Sequence, residues 1–168
     1  MKIRNMVLAG LFAALLAICA WISLPLSNLR FTLQTFGLYL ALLTLGGKWG
    51  SITVLVYIAL GCVGLPVFSG FQGGLGILIG PTGGFLVGFM LTALLYWLAT
   101  AVLGQHFYIR LAAAILGLLL CYFCGWLWFS RFAAIDFFAY SLAYLLPDAV
   151  KLFLAFVLSR RLRPLIQE

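Results

Sequence analysis

Long segments with almost no charged residues dominate this chain and restrict the folds open to it. Residues 5–26, 82–104 and 109–129 are largely apolar, and each has the length of about 20 residues that a helix needs to cross a bilayer. Only 8% of all residues are charged, whereas a soluble domain has about 25%. Because so little polar surface cannot cover a globule in water, we expect an all-α integral membrane bundle whose main solvent is lipid.

Two further apolar segments complete the predicted set of membrane helices. Residues 140–158 form a span that contains two ionisable residues. The segment at residues 35–65 is longer than one straight membrane span and shorter than two full spans. A Gly-Gly-Lys-Trp-Gly stretch at 46–50 interrupts it. We interpret this stretch as the tight turn of a helical hairpin at a membrane interface. The chain is therefore predicted to be a single domain, residues 1–168, with six transmembrane helices.

The basic residues predict how the helices are oriented. With both termini in the cytoplasm, seven of the ten Lys and Arg residues lie on the cytoplasmic side, two lie outside and one lies within a span. The seven are Lys2, Arg4, Lys48, Arg110, Arg160, Arg161 and Arg163. An excess of basic residues in cytoplasmic segments is usual for membrane proteins. The net charge of +7 therefore reports topology, and we expect no nucleic-acid partner.

Residues 64–84, here called the glycine-rich stretch, form a long outward-facing loop between the third and fourth predicted helices. They include eight glycines, two prolines and no charged residue. Irregular backbone at membrane depth is tolerated only where protein buries it or where it lines a cavity, so we interpret the stretch as a wall of a binding site. We also expect free backbone amides near Gly83 that favour an anionic group. The alternative is a flexible loop followed by a packing stripe of Gly80, Gly84 and Gly88.

Asp148 and Lys151 are the strongest chemical signal in the sequence. Ionisable side chains inside a span are costly and usually face a cavity or each other, and residues three apart share one helical face. We expect this pair to anchor a solute, with a self-neutralising structural pair as the alternative. Pro147 immediately before it predicts a break or restart of the helix.

Residues 30–35 are the other polar cluster that enters a span from the outer side. Thr32, Gln34 and Thr35 offer neutral hydrogen-bonding groups there. They are interpreted either as part of the same site or as an ordinary interfacial cap.

The first predicted helix carries a stripe of small residues. Ala9, Ala13 and Ala17 repeat every four residues, a spacing that lets a second helix approach closely. Periodicity alone leaves open whether this second helix belongs to the same chain or to another protein.

Motifs for catalysis are missing from the sequence. It has no phosphate loop, no His-Glu-x-x-His and no Gly-x-Ser-x-Gly. Cys121 and Cys124 form a Cys-x-x-Cys, but they lie among apolar residues and are interpreted as packing residues. We therefore expect neither an enzyme nor a metal site.

These elements together resemble the BioY family, the biotin-capturing S components of energy-coupling factor (ECF) transporters. The resemblance rests on GLPVFSGFQGG at 64–74, GPTGGFLVGF at 80–89, FTLQT at 31–35 and LPDAVK at 146–151, and it extends over nearly the whole chain. It implies a protein of the bacterial cytoplasmic membrane that captures biotin with high affinity from outside and delivers it inward. It implies no cofactor, because two partner ATPase subunits use the ATP. A transmembrane coupling subunit is implied to dock on Ala9, Ala13 and Ala17.

The resemblance also implies a set of site residues. The implied biotin-binding residues are Asp148, Lys151, Gln72, Gly73, Thr82, Gly83, Gln34 and Thr35. Phe68 and Tyr144 are expected from their chemistry to sandwich the rings of biotin. Asp148 can accept from an N–H of the ureido ring, and Lys151 can donate to the ureido oxygen or pair with the carboxylate. The family commonly has Pro-x-Pro before FTLQT, whereas this chain has Asn28-Leu29-Arg30.

Other functions remain open at this point. An S component or carrier for another small vitamin-like solute would share most of these features. An intramembrane enzyme would have only Asp148 with Lys151 as its nucleophile and base. An assembly subunit without a ligand would leave the glycine-rich stretch unexplained.

Overall fold

The computed structural model describes residues 2–25, 30–132 and 137–167 and shows six helices and one short β-hairpin within them. In chain order these elements are α1 (Lys2–Trp21), β1 (Ser23–Pro25), β2 (Arg30–Thr32), α2 (Gln34–Cys62), α3 (Leu75–Ile79), α4 (Gly83–Val102), α5 (Phe107–Phe129) and α6 (Phe137–Gln167). The predicted all-helical class is confirmed, with the hairpin as a small addition. Asn28 and Leu29, where the sequence departs from the family pattern, lie outside the described residues.

Four of the described helices are long and apolar enough to cross a membrane. They are Ile3–Trp21 in α1, Gln34–Cys62, Gly83–Val102 and Phe107–Phe129. Large apolar side chains such as Leu116, Leu119 and Phe123 are exposed on the outside of the bundle, as expected for a surface that faces lipid. The chain is therefore an integral membrane protein, while the number of crossings and their orientation stay predictions.

The helix α2 reverses direction at Gly46. Gly46 has φ +82° and ψ 173°, a conformation that glycine adopts without steric cost. The side-chain amide nitrogen of Gln34 donates to the Tyr57 hydroxyl at 2.6 Å, although 23 residues of straight helix would separate the two by about 35 Å. The element is thus a helical hairpin with arms at 34–45 and 47–62, and its turn lies within the predicted Gly-Gly-Lys-Trp-Gly stretch.

Glycines hold α4 and α5 in close contact, and this is the most extensive contact between two helices in the described part of the chain. A Cβ added at Gly84 would overlap Trp128 of α5, and one added at Gly88 would lie 3.0 Å from the Cα of Cys121. Two members of the suggested glycine stripe therefore pack against a neighbouring helix, and small residues are what such close helix packing requires.

We expect Gly84→Ala to lower the thermal unfolding midpoint, because the added methyl group would push α5 away from α4 at a cost of about 1–3 kcal/mol. Gly10→Ala is the matched control, since a Cβ at Gly10 meets no atom within 4 Å and alanine favours a helix by up to about 1 kcal/mol. The two variants should therefore shift the midpoint in opposite directions. A higher midpoint for Gly84→Ala would contradict the close packing.

Two predicted helix boundaries are wrong. α1 ends at Trp21 instead of residue 26, and the chain then enters an antiparallel hairpin that pairs Ser23 with Thr32 and Pro25 with Arg30. The other is α6, which runs from Phe137 to Gln167 instead of residues 140–158 and continues through Pro147, although a break was predicted there. A proline removes one helical hydrogen bond, and neighbouring helices in a membrane bundle can compensate for it.

The alanine stripe of α1 is buried inside the chain. Ala9, Ala13 and Ala17 are 2%, 2% and 5% exposed, and α1 packs mainly against α2. This corrects the expectation that these three residues dock on a partner, because their methyl groups are not on the surface. The exposed small residues of α1 are Gly10 and Ala14, which lie one position further along the helix.

The hairpin α2 is the central element, and it contacts α1, α4 and α6. In contrast, α5 and α6 share few contacts in the described residues. At one end the ring of Phe107 packs edge-on against Phe156, with centroids 5.1 Å apart. Further along, the Tyr122 hydroxyl donates to Asp148 at 2.7 Å. Between these helices and the glycine-rich stretch the bundle encloses a cavity.

Candidate functional site

The cavity has a volume of about 430 Å³ and is bounded by β2, α2, the glycine-rich stretch, α4, α5 and α6. Small-molecule sites in proteins are typically about 300–1,000 Å³ and mostly apolar, with a few placed polar groups. This cavity follows that pattern, because Leu38, Leu86 and Leu118 form part of its wall beside Asp148 and Lys151.

The carboxylate of Asp148 is bound by donors from three helices. Oδ1 lies 2.6 Å from Nζ of Lys151 in α6. Oδ2 accepts from the Tyr122 hydroxyl in α5 at 2.7 Å and from Oγ1 of Thr35 in α2 at 3.1 Å. The ion-paired side chains are only 8% and 12% exposed, for Lys151 and Asp148 respectively. The two charged groups are therefore paired with each other, and both side chains still line the cavity.

Lys151 is also fixed by β2. Its Nζ donates to the carbonyl oxygen of Thr32 at 2.6 Å and lies 3.6 Å from the centroid of the Phe31 ring. An ammonium group has three N–H donors, and described residues accept from two of them, the Asp148 carboxylate and the Thr32 carbonyl. The third N–H has no oxygen acceptor among the described residues, and the face of the Phe31 ring lies against the ammonium group.

A hydrogen-bond chain connects α2 to the start of the glycine-rich stretch. Oε1 of Gln34 accepts from Oγ1 of Thr32 at 3.1 Å, and its Nε2 donates to the Tyr57 hydroxyl at 2.6 Å. This hydroxyl donates in turn to the carbonyl of Val67 at 3.1 Å. Because Thr32 also accepts from Lys151, the ion pair and the glycine-rich stretch belong to one polar network.

Two tryptophans fix the glycine-rich stretch to the helices. The indole N–H of Trp21 donates to the carbonyl of Pro66 at 2.8 Å, and its ring stacks on Phe71 with centroids 5.1 Å apart. Near the other end, the indole N–H of Trp128 donates to the carbonyl of Gly80 at 3.0 Å. The stretch also contains the short helix α3. It is therefore an ordered wall in the described structure rather than only a flexible loop.

The structure brings most of the predicted site residues to this cavity. Those that line it are Asp148, Lys151, Gln72, Thr82, Gln34, Thr35, Phe68 and Tyr144. Gly73 and Gly83 are not among the lining residues. Gly73 packs against the backbone of Gly64 and Leu65. The amide of Gly83 donates to the Gly80 carbonyl at 3.0 Å, so the expectation of a free amide there is wrong.

Three polar lining residues were missed by the sequence analysis. They are Tyr39, Ser69 and Tyr122. The tyrosines carried a usable signal, because a phenolic hydroxyl inside an apolar span needs a hydrogen-bond partner. Tyr39 has such a partner in the carbonyl of Ala114 at 3.0 Å. Ser69 carried no signal of its own, since a serine beside a glycine is ordinary in a connection.

Comparison with known proteins agrees with this architecture. A sequence model of the BioY family matches residues 1–168. The chain is 37% identical over 165 residues to a probable biotin transporter BioY of Pyrococcus horikoshii, covering 97% of this chain and 98% of the relative. It is 44% identical over 122 residues to the biotin transporter BioY of Thermotoga maritima, covering 73% and 72%.

A solved structure shares the fold over almost the whole length. The crystal structure of the S component for biotin from an ECF-type ABC transporter superposes with a TM-score of 0.87 at 28% identity, covering 97% of this chain and 92% of that one. Sequence and fold thus agree over the same residues, and the chain belongs to the BioY family.

Proposed function

We propose that this chain captures biotin at the outer face of a bacterial cytoplasmic membrane and delivers it inward as the S component of an ECF-type transporter. Relatives named as biotin transporters match nearly the whole chain, and an S component for biotin shares its fold. The observation that carries the proposal is the buried Asp148–Lys151 pair in the wall of a cavity. The chain acts as a transport subunit and not as an enzyme.

The proposed topology has six crossings and both termini in the cytoplasm. The two arms of α2 supply two of the crossings, and α6 supplies the last. The glycine-rich stretch then faces outward, where it meets biotin first. The positive-inside distribution of Lys and Arg residues supports this orientation.

The polar groups of the cavity are complementary to the ureido ring of biotin, which has two N–H donors and one carbonyl acceptor. Asp148 accepts from a ureido N–H, and the third donor of Lys151 is directed to a polar oxygen of biotin. Tyr144 and Phe31, whose ring centroids are 6.2 Å apart, flank the bicyclic ring together with Phe68. Gln34, Thr35, Gln72 and Thr82 complete the polar wall, whereas Gly73 acts by allowing close backbone packing.

Ligand identity provides the test of this proposal. We expect mass spectrometry of the ligand extracted from purified protein to identify biotin, and calorimetry in detergent to show binding of biotin but not of thiamine or riboflavin. Selective binding of another vitamin would assign the cavity to a different solute, and absence of any binding would contradict the capture role.

The proposed partners are a transmembrane coupling subunit and two ATPase subunits. Gly10 and Ala14 are exposed at a four-residue spacing on α1, which lets a partner helix approach closely. We propose that this face docks on the coupling subunit, in place of the buried alanine stripe.

We expect Ala14→Trp to abolish co-purification with the ATPase module while leaving biotin affinity unchanged, because the indole would hold the partner helix away. Leu119→Trp on the exposed face of α5 is the control and should assemble normally. Normal assembly of Ala14→Trp would show that docking uses another face.

A further inference from the structure

Ser69 carries a buried hydroxyl with no hydrogen-bond partner among the described residues. Its Oγ is covered from solvent, and the residue lines the cavity. A buried hydroxyl without a partner loses its bonds to water and gains none in exchange. Such groups are rare in native structures and call for an explanation.

The turn that carries Ser69 is held in place. The Phe68 amide donates to the carbonyl of Gln72 at 2.9 Å and closes the turn. Phe71 within it has φ +57°, a left-handed conformation that is unfavourable for residues other than glycine. Its stacking on Trp21 fixes it there. Strained backbone of this kind concentrates at ligand-binding segments. The fold around it therefore holds Ser69 in the cavity wall, and rotation about the Cα–Cβ bond can turn its hydroxyl toward the cavity.

A second buried hydroxyl without a partner offers a comparison. Oγ1 of Thr44 is also unpaired among the described residues, but Thr44 is inside α2 and does not line the cavity. A threonine in a helix can rotate its side chain so that the hydroxyl donates to the carbonyl four residues earlier. Ser69 is outside any helix and lacks that acceptor. A molecule bound in the cavity can provide the hydrogen-bond partner that Ser69 lacks.

We propose that the Ser69 hydroxyl hydrogen-bonds a polar group of the bound solute and is a further binding and specificity residue of the cavity. The proposal rests on the proposed function for the identity of this solute. A hydroxyl both donates and accepts, so it suits a neutral or an anionic polar group of biotin. It adds a neutral contact from the glycine-rich stretch to the charged contacts from α6.

The test compares Ser69→Ala with the wild-type protein in detergent, using calorimetry with biotin and thermal unfolding without ligand. We expect the affinity to fall fivefold to tenfold, the loss of one hydrogen bond. We also expect the midpoint of the ligand-free protein to rise by a few degrees, because the unpaired hydroxyl is removed. Thr44→Val is the matched control, which removes a buried hydroxyl outside the cavity and should leave the affinity unchanged.

Unchanged or increased affinity in Ser69→Ala would overturn the inference and identify the hydroxyl as a structural defect only. A lowered midpoint would overturn it as well, since it would show that the hydroxyl is paired in the ligand-free protein. Failure of the proposed function looks different, because the wild-type protein would then bind no biotin in the same experiment.

Discussion

Asp148→Asn should weaken biotin binding at least tenfold, which corresponds to about 1.4 kcal/mol. The substitution removes the negative charge that pairs with Lys151 at 2.6 Å, and it replaces one acceptor oxygen by a donor. Lys151 is then a buried cation with no ion-pair partner, and truncating one member of such a pair costs about 3–5 kcal/mol. Calorimetry in detergent measures the affinity, and size-exclusion chromatography with thermal unfolding shows whether the variant is folded.

A double-mutant cycle separates a solute anchor from a self-neutralising structural pair. Lys151→Met alone should also lose at least tenfold in affinity. If the pair only neutralises itself, the double variant Asp148→Asn, Lys151→Met would bind biotin like the wild-type protein, because no unpaired charge remains. If both groups contact biotin, the double variant should bind as weakly as either single variant or more weakly. Recovery of wild-type affinity in the double variant would contradict the site.

Leu118→Trp should abolish detectable biotin binding, with a loss of at least hundredfold. Leu118 is 5% exposed and lines the cavity from α5, so the larger indole must occupy part of the volume of about 430 Å³. A ligand that contacts Leu118 cannot occupy the same space as the indole, because two groups in a protein interior cannot overlap.

The matched control for this variant is Leu116→Trp on the same helix. Leu116 is 56% exposed on the lipid-facing side, where a tryptophan displaces only lipid. It should therefore bind biotin with wild-type affinity. Wild-type affinity in a well-folded Leu118→Trp variant would place the biotin site outside this cavity.

The large helices of the fold were predictable, while its short elements were not. Apolar segments of membrane-spanning length predict helices, because lipid offers no hydrogen-bond partners and the backbone must bond to itself. The turn at Gly46 could be predicted because a glycine pair interrupts one of these segments. Trp21, at the end of α1, donates to the carbonyl of Pro66, 45 residues away, and such a contact cannot be recognised in the local sequence. The β-hairpin and α3 likewise depend on tertiary contacts that local sequence does not contain.

The candidate site was predictable where charge was involved and less so where it was not. Asp148 and Lys151 are conspicuous because they are charged residues in an apolar span. Tyr122 is not, because its place in the site depends on its hydrogen bond to Asp148, 26 residues further along the chain. The stripe of α1 shows a different limit. The buried stripe and the exposed pair of small residues are offset by one position along the helix: Ala9, Ala13 and Ala17 against Gly10 and Ala14. Composition cannot tell which of two adjacent helical faces is buried.

The sparse contact between α5 and α6 has a mechanical consequence. In the described residues, Phe107 on Phe156 attaches the two helices at one end, and the Tyr122–Asp148 hydrogen bond attaches them further along. A guest molecule that donates to the carboxylate would compete with Tyr122 for it and would weaken this second attachment. The loaded and empty forms would then differ in how firmly α5 is attached to α6, while α6 stays packed against α2.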